Sequence, residues 1–126
     1  MKNNVVGWFE IPVNDMVRAI RFYETVFGFE MTRHTINDED MAFFPRVETG
    51  HGSSGVLVCH PEYTPSDKGV VIYFTAQSGD VATELSRVEA AGGKMLNEKK
   101  LIAEGYGYMG LFLDTEGNRV AMHSRN

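Results

Sequence analysis

The feature that most constrains this chain is a pattern that occurs twice. The segments Trp8 to Gly28 and Tyr73 to Gly93 share it, and a shift of 65 positions carries Asp15 onto Asp80, Val17 onto Ala82, Ile20 onto Leu85, Tyr23 onto Val88 and Gly28 onto Gly93. In both, an extended run leads through an aspartate into a helical run that a glycine ends. Repeats of this kind are read before single elements, because one supersecondary unit used twice decides the architecture.

In the first copy Val5, Phe9, Ile11 and Val13 are apolar at odd positions, the alternation of a strand covered on one face. Asn14 or Asp15 is placed to accept bonds from the free amides of a first helical turn. Met16, Ala19, Ile20, Tyr23 and Phe27 then recur at helical spacing, predicting an amphipathic helix. Gly28 follows the last apolar position and can take the left-handed conformation that ends a helix. The second copy repeats this with Val70, Ile72, Phe74 and Ala76, followed by a helix predicted from about Asp80 to Ala91 and closed by Gly92 and Gly93.

Three extended runs follow each helix. They are predicted at about 29–36, 41–47 and 55–60, then 94–102, 106–113 and 119–124, with turn signals between them such as Asn37-Asp38 and Glu116-Gly117-Asn118. The reading is a single α+β domain over residues 1–126. Module 1 spans about 5–60, a proline-containing linker 61–68, and module 2 about 69–126. Neither half alone would bury enough surface to stand, so the linker lies inside one fold.

Composition narrows the function classes. A net charge of −5 does not provide the basic surface that neutralises a phosphate backbone, so nucleic acid is not the expected partner. No apolar run approaches the length that crosses a bilayer and no secretory leader opens the chain, so no membrane partner is expected either. The lone Cys59 has no intrachain partner, which fits a reducing, cytoplasmic compartment.

Strand parity says which side chains face away from the helices. If Phe9, Ile11 and Val13 lie beneath the first helix, Trp8 and Glu10 point the other way. By the same argument Val56, Val58 and His60, then Val71, Tyr73, Thr75 and Gln77, and finally Arg119, Ala121 and His123 occupy the concave side. A register error of one residue would reverse each assignment.

The order Glu10-Ile11-Pro12-Val13-Asn14-Asp15, Arg21-Phe22-Tyr23, Phe27-Gly28, Ala91-Gly92-Gly93-Lys94 and Asp114-Thr115-Glu116-Gly117-Asn118 resembles the glyoxalase/bleomycin-resistance/dioxygenase (vicinal oxygen chelate) superfamily. Thr115 stands where that family usually has proline. The resemblance spans nearly the whole chain. It implies tandem βαβββ modules forming a curved eight-stranded mixed sheet around a cavity, commonly completed by dimerisation.

Metal-dependent members of that family place one His or Glu ligand on the first and last strand of each module. Carried across, those positions are Trp8, Val58, Tyr73 and Ala121. An indole N–H only donates, valine and alanine have no donor atom, and a neutral phenol is a poor ligand. No metal or other cofactor is therefore expected, and the aromatic groups make an apolar cavity suited to a flat or hydrophobic ligand. An unorthodox metal site from Glu10, His60 and His123 is the less favoured alternative.

Glu10 reads either as a general base or ligand-binding carboxylate whose pKa burial would raise, or as a partner of a backbone amide or of Arg119. His123 is a candidate acid–base partner and Tyr73 a candidate donor to a substrate oxygen; both also have plain packing roles. His51, in a glycine-rich stretch, reads as part of a mobile loop over the cavity mouth, and His34 as a surface or rim residue. Glu84, Arg87, Glu89, Glu98, Lys99 and Lys100 read as solvated faces.

The sequence thus predicts a homodimer that binds a small organic molecule among Trp8, Glu10, Val58, Tyr73, Thr75, Ala121 and His123. The alternatives are a glyoxalase-related lyase or isomerase, with Glu10 as base and Tyr73 or His123 polarising the oxygen, and, less favoured, a metal-dependent lyase or dioxygenase.

Overall fold

Asp15 and Gly28 bracket the first helix in the computed structural model, which describes all residues from 1 to 126. Strand β1 (Phe9–Pro12) leads into helix α1 (Met16–Phe27). The Asp15 carboxylate accepts the Arg18 amide at 3.0 Å, satisfying a donor with no partner inside the helix. At the other end Gly28, at φ 76°, donates its N–H to the Glu24 carbonyl, a left-handed closure that a Cβ would disfavour.

Module 1 continues with β2 (Thr32–Ile36), β3 (Glu39–Phe43) and β4 (Gly55–Cys59). Module 2 contains β5 (Ile72–Thr75), α2 (Val81–Leu85), β6 (Lys94–Ala103), β7 (Gly107–Leu113) and β8 (Arg119–Ser124). The strands form two four-stranded mixed sheets with matching orders, β1-β4-β3-β2 and β5-β8-β7-β6. In each sheet the first and last strands of the module pair in parallel and the rest antiparallel. Asn37 and Asp38, both at positive φ, make the tight β2–β3 turn that their side chains tolerate.

Helix α2 is shorter than its pattern predicts. Beyond Leu85 the chain continues in turns: the amides of Arg87 and Val88 bond three residues back, to Glu84 and Leu85, in the tighter geometry that ends many helices. The Ser86 hydroxyl also bonds the Thr83 carbonyl at 2.7 Å, drawing that acceptor toward a side chain. Two charged residues expected on a solvated face are used internally. Glu84 is only 1% exposed and accepts the Ser78 amide and hydroxyl at 2.9 and 2.6 Å, while Arg87 Nε donates to the Val26 carbonyl of α1 at 2.8 Å.

Both helices and the helix-bearing faces of both sheets share one core. Ile11 and Leu57 from the first sheet and Phe112, Val120 and Met122 from the second belong to a single cluster of 18 buried residues that also includes both helices. Helix α1 serves both modules directly, since Phe22 meets Phe112 and Phe27 meets Phe74 at ring-centroid distances of 6.0 and 5.0 Å. Burying a large aromatic group contributes roughly 1.5–3 kcal/mol, so these contacts hold the modules together. No helix is long and apolar enough to cross a membrane.

The turn between β7 and β8 fastens the seam with polar bonds. Buried Asp114 accepts the Tyr23 hydroxyl at 2.6 Å, the amides of Glu116 and Asn118 at 2.8 and 2.9 Å, and Asn118 Nδ2 at 3.0 Å. Asn118 Nδ2 also donates to the Pro12 carbonyl at 2.8 Å. Glu116 Oε1 accepts the amides of Asn14 and Asp15, both at 2.8 Å, and Arg18 Nε donates to Oε2 at 2.8 Å. Module 2 therefore caps the entrance of the module 1 helix. Burial alone would raise the Glu116 pKa, but these donors outweigh it and hold the carboxyl below its ordinary range.

Two outcomes follow. Tyr23→Phe, which removes one bond to a buried carboxylate, should cost about 1–3 kcal/mol in urea unfolding; a loss below about 0.5 kcal/mol would show the bond to be dispensable. A carboxyl depressed in the folded state contributes stability above its unfolded pKa and loses it as pH falls through the folded one. Glu116→Gln should therefore flatten the fall in stability below the ordinary glutamate range, measured by unfolding at a series of acid pH values.

Candidate functional site

Four hydrophobic residues are buried without belonging to the shared core. Val56, Val58 and Ala121 are at 0% exposure and Met109 at 7%, yet all are outside the cluster that holds their neighbours Leu57, Val120 and Met122. The pleat explains this, since successive side chains point to opposite faces of a sheet. These short and flexible groups floor the two faces that look away from the helices.

On the first sheet Trp8 precedes β1 and packs against Phe43 at a centroid distance of 6.0 Å. Phe43 and Glu10 are both in register with Val56, and Val58 is in register with Pro12 and Met41. Trp8, Glu10 and Val58 therefore share one face. Glu10 is exposed, so the burial expected of its carboxylate is not met within the single chain. Arg119, considered as its ion-pair partner, instead donates to the Asp67 carbonyl of the linker at 2.9 Å.

On the second sheet Tyr73 is in register with Ala121, and Thr75 with His123, which in turn opposes Met109. These four candidates form a contiguous patch. Trp8 is 44% exposed and Tyr73 54%, a large apolar area for two side chains rising from buried floors. Where β1 and β5 approach, with Phe9 and Phe74 at 5.9 Å, lies an open cleft of about 1360 Å³ whose walls include Trp8, Tyr73, Thr75 and His51. Glu10, Val58, Ala121 and His123 are not among its lining residues. One chain thus brings together some of the predicted residues and distributes the rest over two faces.

The histidines differ in what their rings are committed to. His60 Nδ1 accepts the Glu62 amide at 3.0 Å, its Nε2 lies 3.2 Å from Glu39, and its ring stacks on Tyr63. Both nitrogens are used at the start of the linker. His34 meets Phe43 edge-on. His123 Nε2 lies 2.7 Å from the Tyr106 carbonyl, a contact across 17 positions that no local spacing announces.

The four positions where the resemblance puts metal ligands do not fit a divalent ion of that scheme. Trp8, Val58, Tyr73 and Ala121 supply no carboxylate or imidazole, and nowhere do three or more His, Cys, Asp or Glu side chains gather as a possible metal-binding group.

Known structures share this fold from end to end. A glyoxalase/bleomycin resistance protein from Albidiferax ferrireducens T118 superposes with a TM-score of 0.71 at 16% identity, over 98% of this chain and 100% of that one. The fosfomycin resistance protein FosX from Listeria monocytogenes gives 0.70 at 18%, over 100% and 94%. TnmS3, an antibiotic binding protein from Streptomyces sp. CB03234, gives 0.66 at 21%, over 100% and 99%. No curated protein matched by sequence. At these identities the structural likeness speaks for the fold alone. The family model for the Glyoxalase/Bleomycin resistance protein/Dioxygenase superfamily matches residues 5–122, and the chain belongs to that superfamily.

Proposed function

We propose that this protein binds a small, apolar or aromatic organic molecule on the sheet faces turned away from its core, without the divalent metal used by many relatives. The observation that carries this reading is the arrangement of Trp8 and Tyr73, large and half-exposed, above the buried floors made by Val56, Val58, Met109 and Ala121. An indole and a phenol stack on flat ligands, and their polar atoms can each make one directional bond. TnmS3, of the same fold, is described as an antibiotic binding protein, which supports a binding role for this architecture.

The same geometry supports a homodimer. The faces point away from the only core of the chain, and a drug-sized ligand needs most of its surface enclosed. A second copy of the chain would supply the missing wall. The unpaired Cys59 supports a reducing, cytoplasmic setting.

Sedimentation should give twice the chain mass of 14.1 kDa. Calorimetric titration with a naphthol as a flat aromatic probe should show saturable binding, weakened about five- to tenfold by Tyr73→Ala through loss of ring contact. Equal affinity in wild type and variant would remove the reading. Glu10→Gln should alter affinity only; abolished turnover with intact binding would favour the lyase or isomerase chemistry instead.

A further inference from the structure

His123 stands on the same face as Tyr73 and Ala121, and its ring is held in one tautomer by the backbone. The partner of Nε2, at 2.7 Å, is the Tyr106 carbonyl. A carbonyl oxygen only accepts, so Nε2 carries the proton and, in the neutral ring, Nδ1 carries the lone pair. No protein group bonds Nδ1, and no buried side-chain nitrogen or oxygen lacks a partner, so this half-buried ring must open Nδ1 to solvent. An imidazole with one nitrogen tied to a carbonyl and the other left bare is oriented as an acceptor.

The fold makes room for this ring. Gly107, the first residue of β7, has φ +83°, and a Cβ there would lie 3.1 Å from His123 Nε2 and 2.4 Å from the Ser124 carbonyl. Any other residue would be strained and would press on the hairpin end that supplies the Tyr106 carbonyl. Thr75 and Met109 flank His123 in register, and Thr75 is exposed. His60 is the contrast, since both of its ring nitrogens are engaged.

We infer that His123 Nδ1 is the polar anchor of the ligand face, accepting a hydrogen bond from a ligand that carries a hydroxyl or N–H beside its aromatic or apolar body. This rests on the ligand-binding reading above and adds a chemical class to it, an aromatic hydroxyl or amine compound in preference to a purely apolar one.

The test compares a naphthol with its methyl ether, which keeps the aromatic body and the oxygen but lacks the donor, by calorimetry at about pH 8, above the ordinary histidine pKa. Wild-type protein should bind the naphthol about five- to tenfold more tightly, the discrimination that one net hydrogen bond supplies. His123→Asn keeps an acceptor near the Nδ1 position and should retain most of that preference. His123→Gln keeps a donor for the Tyr106 carbonyl but no acceptor at Nδ1, and should bind both probes alike. Long-range nitrogen–proton NMR of wild-type protein should show Nε2 protonated and Nδ1 bare. Equal binding of the two probes by wild type, preference retained by Gln and lost by Asn, or the opposite tautomer would each overturn the inference while leaving the ligand face standing. Binding of neither probe would overturn both.

Discussion

The bond from the Tyr23 hydroxyl to the buried Asp114 carboxylate, within the core that α1 shares between two sheets, is the constraint on which the rest of the structure depends. A carboxylate withdrawn from water is costly unless its oxygens are occupied, and Asp114 has four donors at 2.6–3.0 Å. Burial, and then the neighbouring carboxylate, keep the Tyr23 phenol protonated far above its usual range, so this donor does not switch off near neutral pH. Glu116 adds a cap on α1 from the opposite module, and together these bonds set one repeat against the other.

Spending the helix faces on a common core leaves the other two sheet faces outward. What stands on them is a consequence of strand parity, which sends Leu57, Val120 and Met122 inward and Val58, Ala121 and Tyr73 outward. The outward set is poor in donor atoms at the four positions to which the family resemblance assigns metal ligands, and two of those positions carry large aromatic groups. Chemistry on such a surface falls to a few polar groups, and they are unequal. Glu10 is solvated, both nitrogens of His60 are engaged at the linker, and His123 alone combines a fixed ring with an open nitrogen.

Much of this was legible before any coordinates. Asp15 and Gly28 bound α1 where the capping pattern puts them, β8 occupies the predicted span, and the face assignments agree with the core membership of Ile11, Leu57, Val120 and Met122. Such features follow from short-range stereochemistry, which a periodic pattern encodes directly. The end of α2 was not legible, because bonds made three residues back and the Ser86 hydroxyl compete with helix continuation without altering apolar spacing. Nor was the burial of Glu84, whose partner Ser78 precedes the helix. A carboxylate at a helical position reads as solvent-facing unless a donor for it can be seen.

By itself the sequence determined the repeated module and the two sheet faces, because each depends on residue type and local periodicity, while the residues at the four ligand positions are read only through the family resemblance. Only the tertiary structure decided that the modules join through their helices, that Arg119 turns to Asp67 and not to Glu10, and that Tyr106 fixes the His123 ring. Those contacts join residues far apart along the chain, and the backbone carbonyls among them look alike in any sequence. Their pairing exists only once the chain has closed on itself.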